Sequence, residues 1–271
     1  MLHQPATRPV WLRRLRVMTD TYWSDPFPVQ VFLISHPEGY ILFDTGLSPH
    51  SNDPGFFPAW MPTFRLTSRI GVAPDTGIGA QLRARGIEVS KLKAVVISHL
   101  HYDHSGGLPD LVGAPIFVLK ENWDAFKEPL KATFDGAAPN QWPKDFKPQF
   151  LKATGGPIGP FRRSYPITSD GRVVVVETPG HVPGHCSIIV RGDQATYFLT
   201  GDATYGQEYL DRELTDGVNT NPLQAVETLR NIKELARQIP LVVLPAHDTE
   251  CKNRLWGNNA YVPSEKANEQ Y

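Results

Sequence analysis

Residues 98–107 read Ser98-His99-Leu100-His101-Tyr102-Asp103-His104-Ser105-Gly106-Gly107. Three imidazoles and a carboxylate fall within the six residues 99–104, a density of ligating groups that building a core does not require. Imidazole nitrogen and carboxylate oxygen suit a borderline cation such as zinc. The apolar stretch from Leu92 to Ile97 reads as a buried strand, so the cluster stands at a strand end, in a turn rich in glycine. In an extended segment His99, His101 and Asp103 would share one face and His104 would point away. A strand end that curls into a turn at Ser105-Gly106-Gly107 aims the first two imidazoles at one point, and Asp103 and His104 at a second nearby. That serves two metals better than one, since ions in two-metal hydrolytic sites stand ~3.5–4 Å apart.

Other strand ends deliver residues of the same kind. His181 lies in Thr178-Pro179-Gly180-His181, directly after a strand ending at Glu177. Asp202 follows another strand in Thr200-Gly201-Asp202, and His247 follows the last strand in Pro245-Ala246-His247-Asp248. Asp44 ends an earlier strand and reads either as a turn cap or as a carboxylate that orients an imidazole. His185 and Asp248 read as structural neighbours. Cys186 reads as a small buried hydrophobe, with thiolate ligation as the alternative. His3, His36 and His50 read as surface or turn residues.

The elements that must position these groups follow from pattern. Val29 to Ser35 and Tyr40 to Asp44 form a hairpin across His36-Pro37-Glu38-Gly39. Residues 47–64 form a long loop with Pro54, Pro58 and Pro62 that carries Phe56, Phe57, Trp60, Met61 and Phe64. A helix is expected from about Thr76 to Arg85, stopped by Gly86, and strands at Lys93 to Ser98 and Pro115 to Leu119. Residues 120–165 are rich in proline and aromatics with poor periodicity, and read as an insertion, either a lid or a plain structural excursion. Strands resume at Arg172 to Glu177, Ser187 to Arg191 and Ala195 to Thr200. The spacing of Leu223, Val226, Leu229, Ile232, Leu235 and Ala236 predicts a helix over 222–238, before a last strand at Leu241 to Leu244. Hairpins followed by mixed strands and helices argue for a layered α/β fold, without the regular βαβ alternation of a barrel or doubly wound sheet.

Composition narrows the function. The chain has 271 residues, 41% hydrophobic and 20% charged, enough for a sizeable core. A formal net charge of −1 gives no field that points to nucleic acid. The two cysteines, Cys186 and Cys251, make no disulfide framework. Met1 to Val10 holds no apolar stretch of signal-peptide length and no window approaches a membrane span, so a soluble cytoplasmic protein is expected.

The motif His99-X-His101-X-Asp103-His104, followed by His181, Asp202 and His247, resembles the metallo-β-lactamase superfamily. Gly201-Asp202-Ala203-Thr204-Tyr205 and the stretch Thr178 to Ser187 are similar to the N-acyl homoserine lactonases within it. The resemblance runs from about Val29 to Asp248. It implies an α/β fold, an αββα sandwich, with residues 1–271 as a single metallo-hydrolase domain and the insertion or lid at about 120–165. It implies two divalent ions, zinc as the first choice: one held by His99, His101 and His181, the other by Asp103, His104 and His247, with Asp202 bridging. Asp202, Tyr205 and Asp103 would take part in the reaction. A hydroxide bridging the ions would open the ring of a small acyl lactone; a thioester, β-lactam or phosphotriester is the alternative substrate class. An apolar groove for the acyl chain would come from Phe56, Phe57, Trp60, Met61 and Phe64 and from aromatics of the insertion, although an aromatic loop equally suits a homodimer contact.

Overall fold

Among the described residues, two five-stranded sheets organise the chain, one in each of two units: residues 31–151, and residues 1–30 together with 152–271. The computed structural model describes residues 4, 6–61 and 63–264. His3 and Pro62 therefore lie outside the described residues.

After helix α1 (Val10–Thr19), which belongs to the second unit, the chain enters the first. There β1 (Phe32–His36) and β2 (Gly39–Phe43) form the expected hairpin, and Gly39 closes its turn at φ +123°, a conformation that suits glycine. Helices α2 (Thr63–Thr67) and α3 (Ile78–Ala84) precede β3 (Leu92–Val96). Helix α4 (Tyr102–Ser105) precedes β4 (Ile116–Val118), and α5 (Lys120–Phe126) and α6 (Pro129–Phe134) precede β5 (Gln149–Phe150). The sheet runs β1-β2-β3-β4-β5, parallel at every pair after the hairpin. Sequence pattern does not reveal these parallel crossovers. Their strands are two to five residues long and their helices four to seven, too short to show a clear period in sequence. β3 reads as a continuous apolar run because Ala94, Val95 and Val96 are all buried.

The second unit holds β6 (Ser164–Pro166), β7 (Val173–Glu177), β8 (Cys186–Arg191) and β9 (Thr196–Gly201) as an antiparallel run. Then come α7 (Gln207–Asp211), α8 (Pro222–Gln238), β10 (Leu241–Pro245), parallel to β9, and α9 (Cys251–Gly257). Helix α8 has the bounds its spacing predicts. Pro222 sits in its first turn, and the Asn221 side chain accepts from the Gln224 N–H at 3.1 Å, capping an otherwise unsatisfied donor. Leu229, Ile232 and Leu235 pack with Val176, Ile189, Phe198, Leu241 and Val243, so one face of the helix covers β7 to β10.

Sequence pattern does not reveal helix α1. Its apolar residues Trp11, Leu15 and Met18 are exposed, and its buried residue is Arg13. An apolar-face argument therefore points the wrong way there. Among the described residues, no helix is long and apolar enough to cross a membrane.

Candidate metal centre

In the first unit, β2 and β3 lie parallel with Phe43 opposite Val96, so Asp44 and the Ser98–His99 segment leave from neighbouring carboxyl ends. In α/β sheets that is the edge where ligands bind. Asp44 adopts φ +62°, unusual for a side-chain-bearing residue. That turn brings its carboxylate back onto the next strand end. It accepts from the Ser98 N–H at 2.6 Å, from Ser98 Oγ at 2.9 Å and lies 2.8 Å from His104 Nδ1. Asp44 thus orients an imidazole rather than simply capping a turn. The carboxylate takes the Ser98 hydroxyl proton, so Ser98 Oγ accepts from His99 Nδ1, 3.0 Å away. Both rings are held at Nδ1, and the Nε2 atoms are left to face the cluster. His99 Nε2 lies 2.8 Å from His101 Nδ1, and His104 Nε2 lies 3.8 Å from Asp103 Oδ2.

The expected curl comes earlier than Ser105: α4 begins at Tyr102, directly after His101. The start of a helix, rather than a glycine turn, sets Asp103 and His104 apart from the two preceding imidazoles. Gly106 and Gly107 serve close packing instead. A Cβ on Gly106 would lie 2.6 Å from the Ser48 nitrogen, and one on Gly107 2.7 Å from the Thr45 carbonyl oxygen.

In the second unit, β9 and β10 run parallel with Gly201 opposite Pro245, which delivers Asp202 and His247 at one edge. The Asp202 carboxylate lies between two imidazoles: Oδ2 is 3.4 Å from His181 Nε2 and Oδ1 is 3.1 Å from His247 Nε2. Here too each ring is held from behind. His247 Nδ1 donates to the Pro28 carbonyl at 2.8 Å, and His181 Nδ1 lies 3.2 Å from Asp216 Oδ2. A carbonyl oxygen can only accept, which puts the His247 proton on Nδ1 and the lone pair on Nε2. Burial, the largest influence on Asp216, opposes its charge. The charge and hydrogen bond of His181 and the Val218 N–H outweigh it, so the carboxyl titrates below the usual carboxylate range.

The His181 loop is pinned to the start of α8. Gly180 adopts φ +132°, and a Cβ there would lie 2.3 Å from the Ala225 nitrogen. Thr220 N–H donates to the His181 carbonyl at 2.8 Å, Asn221 N–H to that of Gly180 at 2.9 Å, and Thr228 Oγ1 to that of Pro179 at 2.6 Å. His185 is a structural neighbour. Its Nε2 accepts the Asp202 N–H at 3.0 Å, so its Nδ1 donates toward Thr178, whose carbonyl oxygen is 3.0 Å away. Asp248 binds Arg254 and accepts from the Glu250 N–H at 2.9 Å, closing the turn into α9. Cys186 is buried in β8.

Tyr205 stands beside the carboxylate. Its hydroxyl donates to Asp202 Oδ2 at 2.9 Å, and its ring stacks on His247 with centroids 4.8 Å apart. Phe27 meets the edges of both His247, at 5.1 Å, and Tyr205, at 6.5 Å. Neither Phe27 nor Asp216 carries a motif, and only the fold reveals them. The same holds for Gly136 and Phe126. Gly136 at φ +101° leaves room for the His101 ring, which a Cβ there would approach to 2.9 Å, and Phe126 meets that ring edge-on at 5.7 Å. Part of the 120–165 stretch therefore shapes a ligand-type residue. Phe56 and Phe57 do not offer an open groove. They are buried with Ala138 and pack against Phe64 and Tyr102, supporting α4, whereas Trp60 is exposed against Phe134.

In both units the front atoms are imidazole nitrogens and carboxylate oxygens, and Nδ1 of His99, His104, His181 and His247 is held in place from behind. That donor chemistry fits a divalent cation.

The profile of the metallo-beta-lactamase superfamily matches residues 24–247. The N-acyl homoserine lactonase AttM of Azorhizobium caulinodans is 28% identical over 238 residues, covering 82% of each chain. The N-acyl homoserine lactonase AiiA of Bacillus thuringiensis subsp. kurstaki is 26% identical over 229 residues, again 82% of each. A crystal structure of a B. thuringiensis AiiA mutant, with N-decanoyl-L-homoserine bound at its active site, is similar with a TM-score of 0.67 and 25% identity, over 84% of each chain. The fold is of the metallo-β-lactamase type. With its histidine motif, its strand-end carboxylates and more than four-fifths of the chain aligning with such relatives, this protein belongs to the metallo-β-lactamase superfamily.

Proposed function

We propose that the chain is a metal-dependent hydrolase that opens the lactone ring of N-acyl homoserine lactones, a quorum-quenching activity. In this reading His99, His101 and His181 hold one divalent ion, Asp103, His104 and His247 hold a second, and Asp202 is shared between them. Zinc is the first choice for both. The observation that supports it most is the Asp202 carboxylate, with one oxygen toward each of two buried imidazoles and the Tyr205 hydroxyl upon it. Similarity to N-acyl homoserine lactonases over most of the chain supports the substrate class.

The ions would supply Lewis acidity and solvent that ionises near neutral pH. The chain's own groups do the rest. Asp202 takes up the proton released as the carbonyl carbon is attacked and returns it to the ring oxygen as the C–O bond breaks. Asp103 keeps a second carboxylate at the reaction centre. Tyr205 brings a hydroxyl donor to the carboxylate. It stabilises the charge that develops on the substrate carbonyl oxygen. Phe27, 42% exposed and edge-on to both Tyr205 and His247, offers an apolar wall to the acyl part of the substrate. The cytoplasm is the proposed place of action, in keeping with a chain whose two cysteines are both buried. A substrate panel on metal-loaded protein tests the reading. Turnover of acyl homoserine lactones well above that of thioesters and phosphotriesters is expected; preference for either of the latter would reject it.

A further inference from the structure

Behind His181 runs a chain of buried contacts that the proposed chemistry does not use. Asp216 Oδ2 faces His181 Nδ1 at 3.2 Å. The Asp216 carboxylate is fixed by the Val218 N–H at 2.8 Å and by Asn219 Nδ2. Its main-chain carbonyl accepts from the guanidinium of Arg13, on α1. That guanidinium also donates to Thr215 Oγ1 at 2.7 Å and to the Gln4 carbonyl at 3.0 Å. Gln4 closes the circuit: its N–H donates to the Thr215 carbonyl and its Nε2 to the Arg13 carbonyl, both at 3.0 Å. Arg13, Asp216 and His181 are all buried. Burying a guanidinium is costly, so an arginine buried with both terminal nitrogens hydrogen-bonded, on a helix that leaves Trp11, Leu15 and Met18 exposed, needs a reason. Stapling a helix would not require the network to end on the back of an imidazole.

We propose that Asp216 is a positioning residue for His181, and that Arg13 of α1 fixes Asp216. A carboxylate on Nδ1–H holds the ring in one tautomer, leaves the Nε2 lone pair directed toward Asp202, and raises its basicity as a ligand. The N-terminal helix is thereby a working part of the metal centre. The inference rests on His181 being a ligand.

The test compares the parent chain with Asp216→Asn, Arg13→Gln and His181→Ala. Each is titrated with zinc against a chromogenic chelator, and the metal-free melting temperature is followed as a control. Asp216→Asn is expected to weaken one of the two ions by about 10–100-fold and leave the other unchanged. Arg13→Gln should weaken the same ion by less. Long-range proton–nitrogen NMR of the zinc-loaded parent, which needs no variant, should find His181 protonated at Nδ1 and metallated at Nε2. If His181→Ala loses an ion while Asp216→Asn and Arg13→Gln keep parent affinities, or if Nδ1 carries the ion, the positioning role falls and the metal reading stands. If His181→Ala itself keeps both affinities, the ligand assignment falls and takes this inference with it.

Discussion

Single residues carry the chemistry, and most of them are visible in the sequence because ligating side chains crowd where a core would not place them. The imidazoles at 99, 101, 104, 181 and 247 and the carboxylate of Asp202 could all be picked out at strand ends. What stayed hidden is what lies behind them. Asp44 was ambiguous until its φ of +62° turned the carboxylate onto Ser98 and His104. Asp216 sits 35 residues from its partner His181, in no motif at all. Removing the hydroxyl in Tyr205→Phe should lower turnover by ~10²–10³, as loss of one such donor typically does, with metal content unchanged by elemental analysis. Asp44→Asn keeps the volume but places an amide where His104 Nδ1 needs an acceptor. Chelator competition should show ~10–100-fold weaker metal binding for it. Burial, reinforced by the Asp248 charge and only partly offset by Arg254, pushes the Cys251 thiol up to about 12. Cys186 is fully enclosed. Iodoacetamide at pH 8 should therefore label neither cysteine in the native protein and both in denaturant, counted by mass spectrometry.

Secondary elements set how firmly those residues are held. Helix α8 was legible because its apolar face packs on four strands, so its spacing and its burial agree. Helix α1 was not, because the side chain it buries is an arginine and its tryptophan points to solvent. The parallel strands of the first unit were too short to read, and the support that Gly136 and Phe126 give His101 lies in a stretch without periodicity. Leu229→Ala, at a fully buried position of α8, should destabilise by about 2–5 kcal/mol in denaturant unfolding. Gly180→Ala is a sharper probe. Its φ of +132° and the 2.3 Å approach to Ala225 mean that an added methyl must displace the His181 loop or the start of α8. Calorimetry should show a lower melting temperature, and chelator competition the weakening of one ion.

At the scale of the whole molecule, the proposed ligands come from four strand ends, after β3, β7, β9 and β10, so metal binding and folding would be a linked pair. An ion bound only by the folded chain stabilises it by about 2.7 kcal/mol at a hundredfold excess over its Kd, so stripping the metal should lower the melting temperature by several degrees. On the proposed reading, lactone hydrolysis depends on two divalent ions that the imidazoles and carboxylates at those strand ends would hold. The measurement that meets it most directly is ring opening of an N-acyl homoserine lactone by exhaustively chelated protein, followed as zinc is restored in known steps. Activity that is absent at first and reaches its plateau at about two equivalents per chain is the expected result. Full turnover by the chelated protein would contradict it.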